Sequence, residues 1–138
     1  MLVYLGCPGS GKTWMCAALI KYCWPRFESC RYWTERTLIQ TLHESIGKGH
    51  DYVQTLGSLV DDEFVIYDDL GSTGLNDWRK EVLFEFLDQR YVSMKPTIVT
   101  SNLTREEIYQ QIHPRVASRL FAKENTLIEV RDDDKRQS

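Results

Sequence analysis

Gly6-Cys7-Pro8-Gly9-Ser10-Gly11-Lys12-Thr13 follows an apolar stretch, residues 1–5, and is the run of this chain whose residue types and spacing carry the most defined chemistry. Glycines without Cβ atoms let a backbone curl around a polyphosphate with its N–H groups turned inward. A lysine at the position of Lys12 then reaches the β- and γ-phosphates, and the hydroxyl at Thr13 is placed to ligate Mg²⁺. Gly6, Pro8, Gly9, Ser10, Gly11, Lys12, Thr13 and the adjoining Trp14 are therefore the candidate nucleotide-binding residues. An apolar strand before the loop and a helical run, 13–22, after it supply the context that separates this motif from a chance Gly-rich turn. A nucleoside triphosphate is the expected ligand.

Two further clusters bear on the same chemistry. The apolar run 63–67 stops abruptly in Asp68-Asp69. Parallel α/β sheets bind ligands at the carboxyl ends of their strands, so this pair is expected beside the phosphate loop. Asp68 suits the metal, usually through water, and Asp69 suits the carboxylate that accepts a proton from the attacking water. In isolation such a pair reads first as a solvated turn; the loop upstream inverts that preference in favour of the catalytic reading. Asn102 ends another apolar run, 96–100, and its neutral amide is able to hydrogen-bond both a γ-phosphate and a lytic water. Alone, Ser101-Asn102 is a turn and cap signal. Cys7 sits next to a helix start, where a thiol can be activated, although a tolerated small residue is the plainer reading.

The elements that must position these residues alternate in type. Strand patterns occupy 1–5, 30–33, 63–67, 96–100 and 126–130, and helix patterns occupy 13–22, 35–46, 51–59, 77–92, a stretch after Thr104 and 114–121. Trp24-Pro25 stops the first helix, because proline excludes helix at the residue before it. Thr34 and Thr104 are N-caps, the latter followed by Glu106-Glu107 in a first turn that suits the helix dipole. This alternation predicts an α/β domain built on a mostly parallel sheet. Residues 131–138 form a charged tail expected to fray.

Length and composition bound the rest. With 138 residues, 42% of them hydrophobic and 27% charged, the chain has material for one core and one domain, 1–138. No apolar run approaches the ~18 residues of a membrane span, and no basic n-region of a signal peptide opens the chain, so no membrane association and a cytoplasmic location are expected. Cys7, Cys16, Cys23 and Cys30 lack paired spacing and are read as reduced thiols, and the three histidines lack ligand spacing. A net charge of −3 provides no global field for nucleic acid; Lys48, Arg79, Lys80 and Arg105 are scattered, so any DNA contact must be local.

With these residues in place, the chain resembles the AAA+ ATPases, and among them the DnaC-like helicase loaders and their IstB-like transposition relatives. The resemblance rests on the loop Gly6 to Thr13, the Walker B run 64–71, Arg90-Tyr91, the stretch 95–104 ending in Thr-Ser-Asn-Leu-Thr, and Arg115-Val116-Ala117-Ser118-Arg119-Leu120. It implies a P-loop NTPase fold with a five-stranded parallel sheet in the order 5-1-4-3-2, flanked by helices; in a departure from the family, the lid domain is expected to be absent. It implies ATP and Mg²⁺ as cofactors, Asn102 as sensor 1, and Arg119 as an arginine finger acting on ATP held by a neighbouring subunit. A guanidinium supplied across an interface would tie hydrolysis to assembly. Arg115 and Arg119 are otherwise two exposed helix charges one turn apart. The function so implied is a slow, assembly-dependent ATPase module of a DNA-replication helicase loader, with a replicative helicase as partner, single-stranded DNA as a possible ligand and homo-oligomers when ATP is bound. The alternative is an ATP-dependent interaction module with little turnover, such as an IstB-like transposition regulator, since Asp69 stands where AAA+ proteins more often carry glutamate. A small P-loop kinase fits less well, because no arginine-rich lid segment is evident.

Overall fold

The computed structural model describes residues 1–130; the charged tail lies outside them. Five strands form one parallel sheet: β1 (Leu2–Gly6), β2 (Cys30–Thr34), β3 (Phe64–Leu70), β4 (Thr97–Ser101) and β5 (Thr126–Val130), in the order β2-β3-β4-β1-β5. This is the order 5-1-4-3-2 read from the opposite edge. β1 pairs with both β4 and β5, with Val3 opposite Val99 and Leu127.

Strand periodicity sorts the side chains to the two faces of the sheet. Phe64 and Ile66 of β3 and Ile98 of β4 meet Cys16 and Cys23 of α1 (Lys12–Cys23). Val65 and Tyr67, with Val3, Leu5 and Val99, face a larger core formed with α2 (Glu35–Gly47), α3 (Tyr52–Val60), α4 (Asp77–Val92) and α6 (Pro114–Leu120). Between β4 and α6, α5 (Arg105–Glu107) runs into a π-helical turn, Ile108–Ile112. The sequence predicts one helix after Thr104; the structure has this π-helical turn in its path, with Ile108 and Ile112 both in the core at 0% and 5% exposure. The predicted caps are present: Thr34 and Thr104 each form a capping box, with Thr37 and Glu107.

β3 departs from expectation. The sequence pattern ends it at Tyr67, but it continues through Asp68 and Asp69 to Leu70, with a register shift between Tyr67 and Leu70 opposite β4. Asp69 takes a left-handed backbone, φ 63°, which costs an L-residue energy unless its surroundings hold it. They do: Thr100 Oγ1 accepts the Asp69 N–H at 2.9 Å, Ser101 Oγ donates to the Leu70 carbonyl at 2.6 Å, and Leu70 is 1% exposed. Gly71 follows at φ 81°, where a Cβ would lie 2.5 Å from Leu103 Cδ1.

Arg90 of α4 is fully buried and acts as an internal clamp. Its guanidinium donates to the carbonyls of Val60 (2.5 Å), Asp62 (2.7 Å) and Pro96 (2.8 Å) and to Thr97 Oγ1 (2.8 Å), fastening the entry of β3 to that of β4. Burial lowers its pKa to about 10, which leaves it charged at neutral pH.

A candidate phosphate and metal cleft

The loop between β1 and α1 has the shape that its glycines permit. Gly9 and Gly11 adopt φ 83° and 90°, and a Cβ on Gly6 would lie 2.5 Å from Ser10 Oγ. Lys12 is 7% exposed and folds back into the loop, donating to the carbonyls of Gly6 (2.6 Å) and Cys7 (2.9 Å) and to Ser10 Oγ (3.3 Å). A phosphate entering the loop offers this ammonium a charged acceptor in exchange for neutral carbonyls, which is the stronger bond.

Across from the loop, the bulged end of β3 presents its two carboxylates differently. Asp68 is buried, and four donors surround it: Thr13 Oγ1 (3.4 Å) and the Tyr32 hydroxyl on Oδ2, Cys16 Sγ (3.7 Å) and the Thr100 hydroxyl on Oδ1. A buried carboxylate needs such company, because charge taken out of water unpaired is expensive. Burial, with the Asp68 charge beside it, pushes the Cys16 thiol up to about 12, so this sulfur is a packing group and not a nucleophile. Asp69 points outward and accepts from Asn102 Nδ2 at 2.9 Å. The left-handed turn separates the two neighbours, directing Asp68 to the sheet and Asp69 to the mouth of the cleft.

Pro8, Gly9, Gly11, Lys12, Thr13, Trp14, Asp68, Asp69 and Asn102 thus line one cleft of about 420 Å³. Ser10 lies beneath it, and Gly6 borders a second cleft, about 600 Å³, on the other side of Asn102. Arg119 does not line the first cleft. It pairs with Asp88 of α4, with its guanidinium 5.3 Å from the Tyr91 ring, while Arg115 stands over Phe84 at 3.7 Å. Cys7 contributes its carbonyl to Lys12. Four residues of the site's surroundings escaped the sequence reading: Tyr32 and Thr34 line the cleft, Thr100 bridges Asp68 and the Asp69 backbone, and Glu35 accepts from the Gly71 N–H at 2.7 Å. Their shared signal, polar groups where strands give way to helices or loops, is too common to single them out.

Thr13 and Asp68 supply hard oxygen donors, as Mg²⁺ prefers. Among the described residues no three His, Cys, Asp or Glu side chains converge as a metal site. The donor set therefore fits an ion that keeps water and phosphate oxygens as its remaining ligands.

The model of the IstB-like ATP-binding proteins matches residues 1–120. The chain belongs to the IstB/DnaC-like AAA+ ATPase family. Within this family it is 24% identical over 119 residues to the replicative helicase loader DnaC of Escherichia coli K12, a match covering 86% of this chain and 49% of that protein. It spans about half the length of the curated relatives it matches. A crystal structure of the DnaC helicase loader superposes with a TM-score of 0.80 at 25% identity, covering 94% of this chain and 77% of the other. AMPPCP-bound DnaA from Aquifex aeolicus shares the fold, with a TM-score of 0.79 at 19% identity over 98% of this chain and 42% of that one. DnaI does likewise at 0.73 and 22%, over 98% and 72%. In this IstB/DnaC-like module no helix of the described residues is long and apolar enough to cross a membrane.

Proposed function

We propose that this IstB/DnaC-like module binds ATP with Mg²⁺ and hydrolyses it as the motor part of a DNA-replication helicase loader. The observation that carries the reading is the convergence of Lys12, Thr13, Asp68, Asp69 and Asn102 on one cleft lip. Lys12 leaves its loop carbonyls for the β- and γ-phosphates, and backbone N–H groups of the loop, with Gly6, Pro8, Gly9, Ser10, Gly11 and Trp14 shaping it, cradle the chain of phosphates. Thr13 and Asp68 would hold the metal, whose positive charge would offset that of the phosphates. Asn102 holds the Asp69 carboxylate in place, and Asp69 accepts the proton of a water whose oxygen attacks the γ-phosphorus. The bridging oxygen departs with ADP as that bond forms.

Arg119 is the finger of this proposal. It lies away from its own cleft, on α6 beside α4, and a position removed from the subunit's own phosphates is what a trans role requires. The module then turns over slowly until subunits associate as ATP-bound homo-oligomers. The likeness to DnaC, a replicative helicase loader, supports a replicative helicase as partner, and DnaA, which shares the fold and has been seen bound to AMPPCP and single-stranded DNA, makes such DNA a ligand to test. Residues 1–138 act as one unit in the cytoplasm. A second reading, an assembly module with little turnover, is favoured by one feature: Asp69 is a short carboxylate already tied to Asn102. ATP turnover measured with and without single-stranded DNA and the helicase separates the two. A rate stimulated above background supports the motor, and nucleotide binding without phosphate release under every condition supports the assembly module.

A further inference from the structure

The two oxygens of Asp68 have different surroundings. Oδ1 is turned into the protein, where fully buried Thr100 and Cys16 hold it. Oδ2 faces Thr13 and the cleft, and the Tyr32 hydroxyl donates to it. Tyr32 sits near the carboxyl end of β2, paired in register with Ile66, and is 39% exposed along the cleft wall. Its hydroxyl therefore sits on the one oxygen of Asp68 that a metal beside Thr13 would use.

Mg²⁺ demands near-octahedral geometry and a fully available carboxylate lone pair, either directly or through one of its waters. A phenol proton aimed at that oxygen competes for the same lone pairs and the same space. We propose that Tyr32 is a positioning residue that competes with the metal: its hydroxyl occupies Asp68 Oδ2 while the cleft lacks nucleotide, and it yields that oxygen when Mg²⁺ enters with ATP. The proposal rests on the reading of Asp68 as a metal residue. β2 is well placed to register the exchange. It leads within three residues to Glu35, whose buried carboxylate holds the Gly71 N–H and the Thr73 hydroxyl on the far side of Asp69. One strand-to-helix junction thus grips the acidic segment both before and after Asp69.

The test is the Mg²⁺ concentration that half-saturates the metal-dependent gain in ATP affinity, measured by calorimetric titration of ATP into the parent chain and into Tyr32→Phe. Removing the competing hydroxyl is expected to lower that concentration, on the order of tenfold if the whole hydrogen bond to a charged acceptor is at stake. A second readout uses the parent alone. With tyrosine labelled by ¹³C at Cζ, the Tyr32 resonance, identified by its loss in Tyr32→Phe, is expected to shift when Mg²⁺ is added to the ATP complex. ATP with chelator should leave it near its nucleotide-free position. An unchanged or raised half-saturating concentration, or a Tyr32 resonance indifferent to Mg²⁺ while ATP affinity responds to it, overturns the competition and leaves the metal reading standing. An ATP affinity indifferent to Mg²⁺ in the parent overturns both.

Discussion

Lys12 shows how a single side chain prepares for its ligand, since in the free loop its ammonium already satisfies itself on two carbonyls and a hydroxyl. The nucleotide gain is the difference between those contacts and a phosphate, so Lys12→Ala should weaken ATP binding by roughly 1.5–3 kcal/mol, the weight of one charge-assisted hydrogen bond. Equilibrium titration checks it, and an unchanged dissociation constant would remove Lys12 from the phosphate site. The neighbouring aspartates should fail in different ways. Asp68→Asn is expected to lose Mg²⁺ dependence and turnover together, while Asp69→Asn should retain Mg·ATP and slow the chemical step by about 10²-fold or more. Trapping the bound nucleotide distinguishes the two. The sequence made Lys12, Thr13, Asp68, Asp69 and Asn102 visible because each belongs to a run of specific spacing. Tyr32 and Thr100 were hidden for the opposite reason: their roles depend on strands paired across 31 or more residues, a proximity that no local pattern records.

At the scale of elements, periodicity and capping chemistry located five strands and most helix ends within a residue or two, because apolar alternation and Thr caps act locally, while the order of the strands came from the family resemblance. The end of β3 was misjudged for a physical reason. Two consecutive aspartates signal solvent, yet Thr100 and Ser101 from β4 supply the hydrogen bonds that carry the strand on to Leu70. The π-helical turn has no local signal either, since Ile108 and Ile112, four residues apart, would share one face of a regular helix as well. Arg90 belongs to this scale as well, since it fastens α4 to the entries of β3 and β4. Arg90→Met fills similar space but strips donors from the carbonyls of Val60 and Asp62, while that of Pro96 keeps the Val65 N–H, and each buried acceptor left unpaired costs on the order of 1–3 kcal/mol. Denaturant unfolding should show a loss of about 2–4 kcal/mol, part of the deficit being met by water; a change within about 0.5 kcal/mol would mean that the clamp is dispensable.

For the whole molecule, the cleft and Arg119 belong to different regions of the surface, so the account requires a second copy to complete the site. In the single subunit Arg119 is held by Asp88 beside Tyr91, and the Asp88 contact keeps its pKa above the ordinary value. Arg119→Ala should bind ATP nearly as the parent does and hydrolyse it poorly, since the missing charge matters chiefly in the transition state. Mixing it with Asp69→Asn should regain part of the activity, because some interfaces then pair an intact cleft with an intact finger. A mixture no more active than its two components, with co-assembly verified, returns Arg119 to an ordinary helix surface charge. The most direct measurement of the central claim is phosphate release per subunit from Mg·ATP, followed across protein concentration for the parent and for Asp69→Asn at matched nucleotide occupancy. The account predicts a parent rate that rises as subunits associate and a variant that stays bound and nearly silent. A parent that binds Mg·ATP yet releases phosphate no faster than Asp69→Asn at any concentration would contradict it.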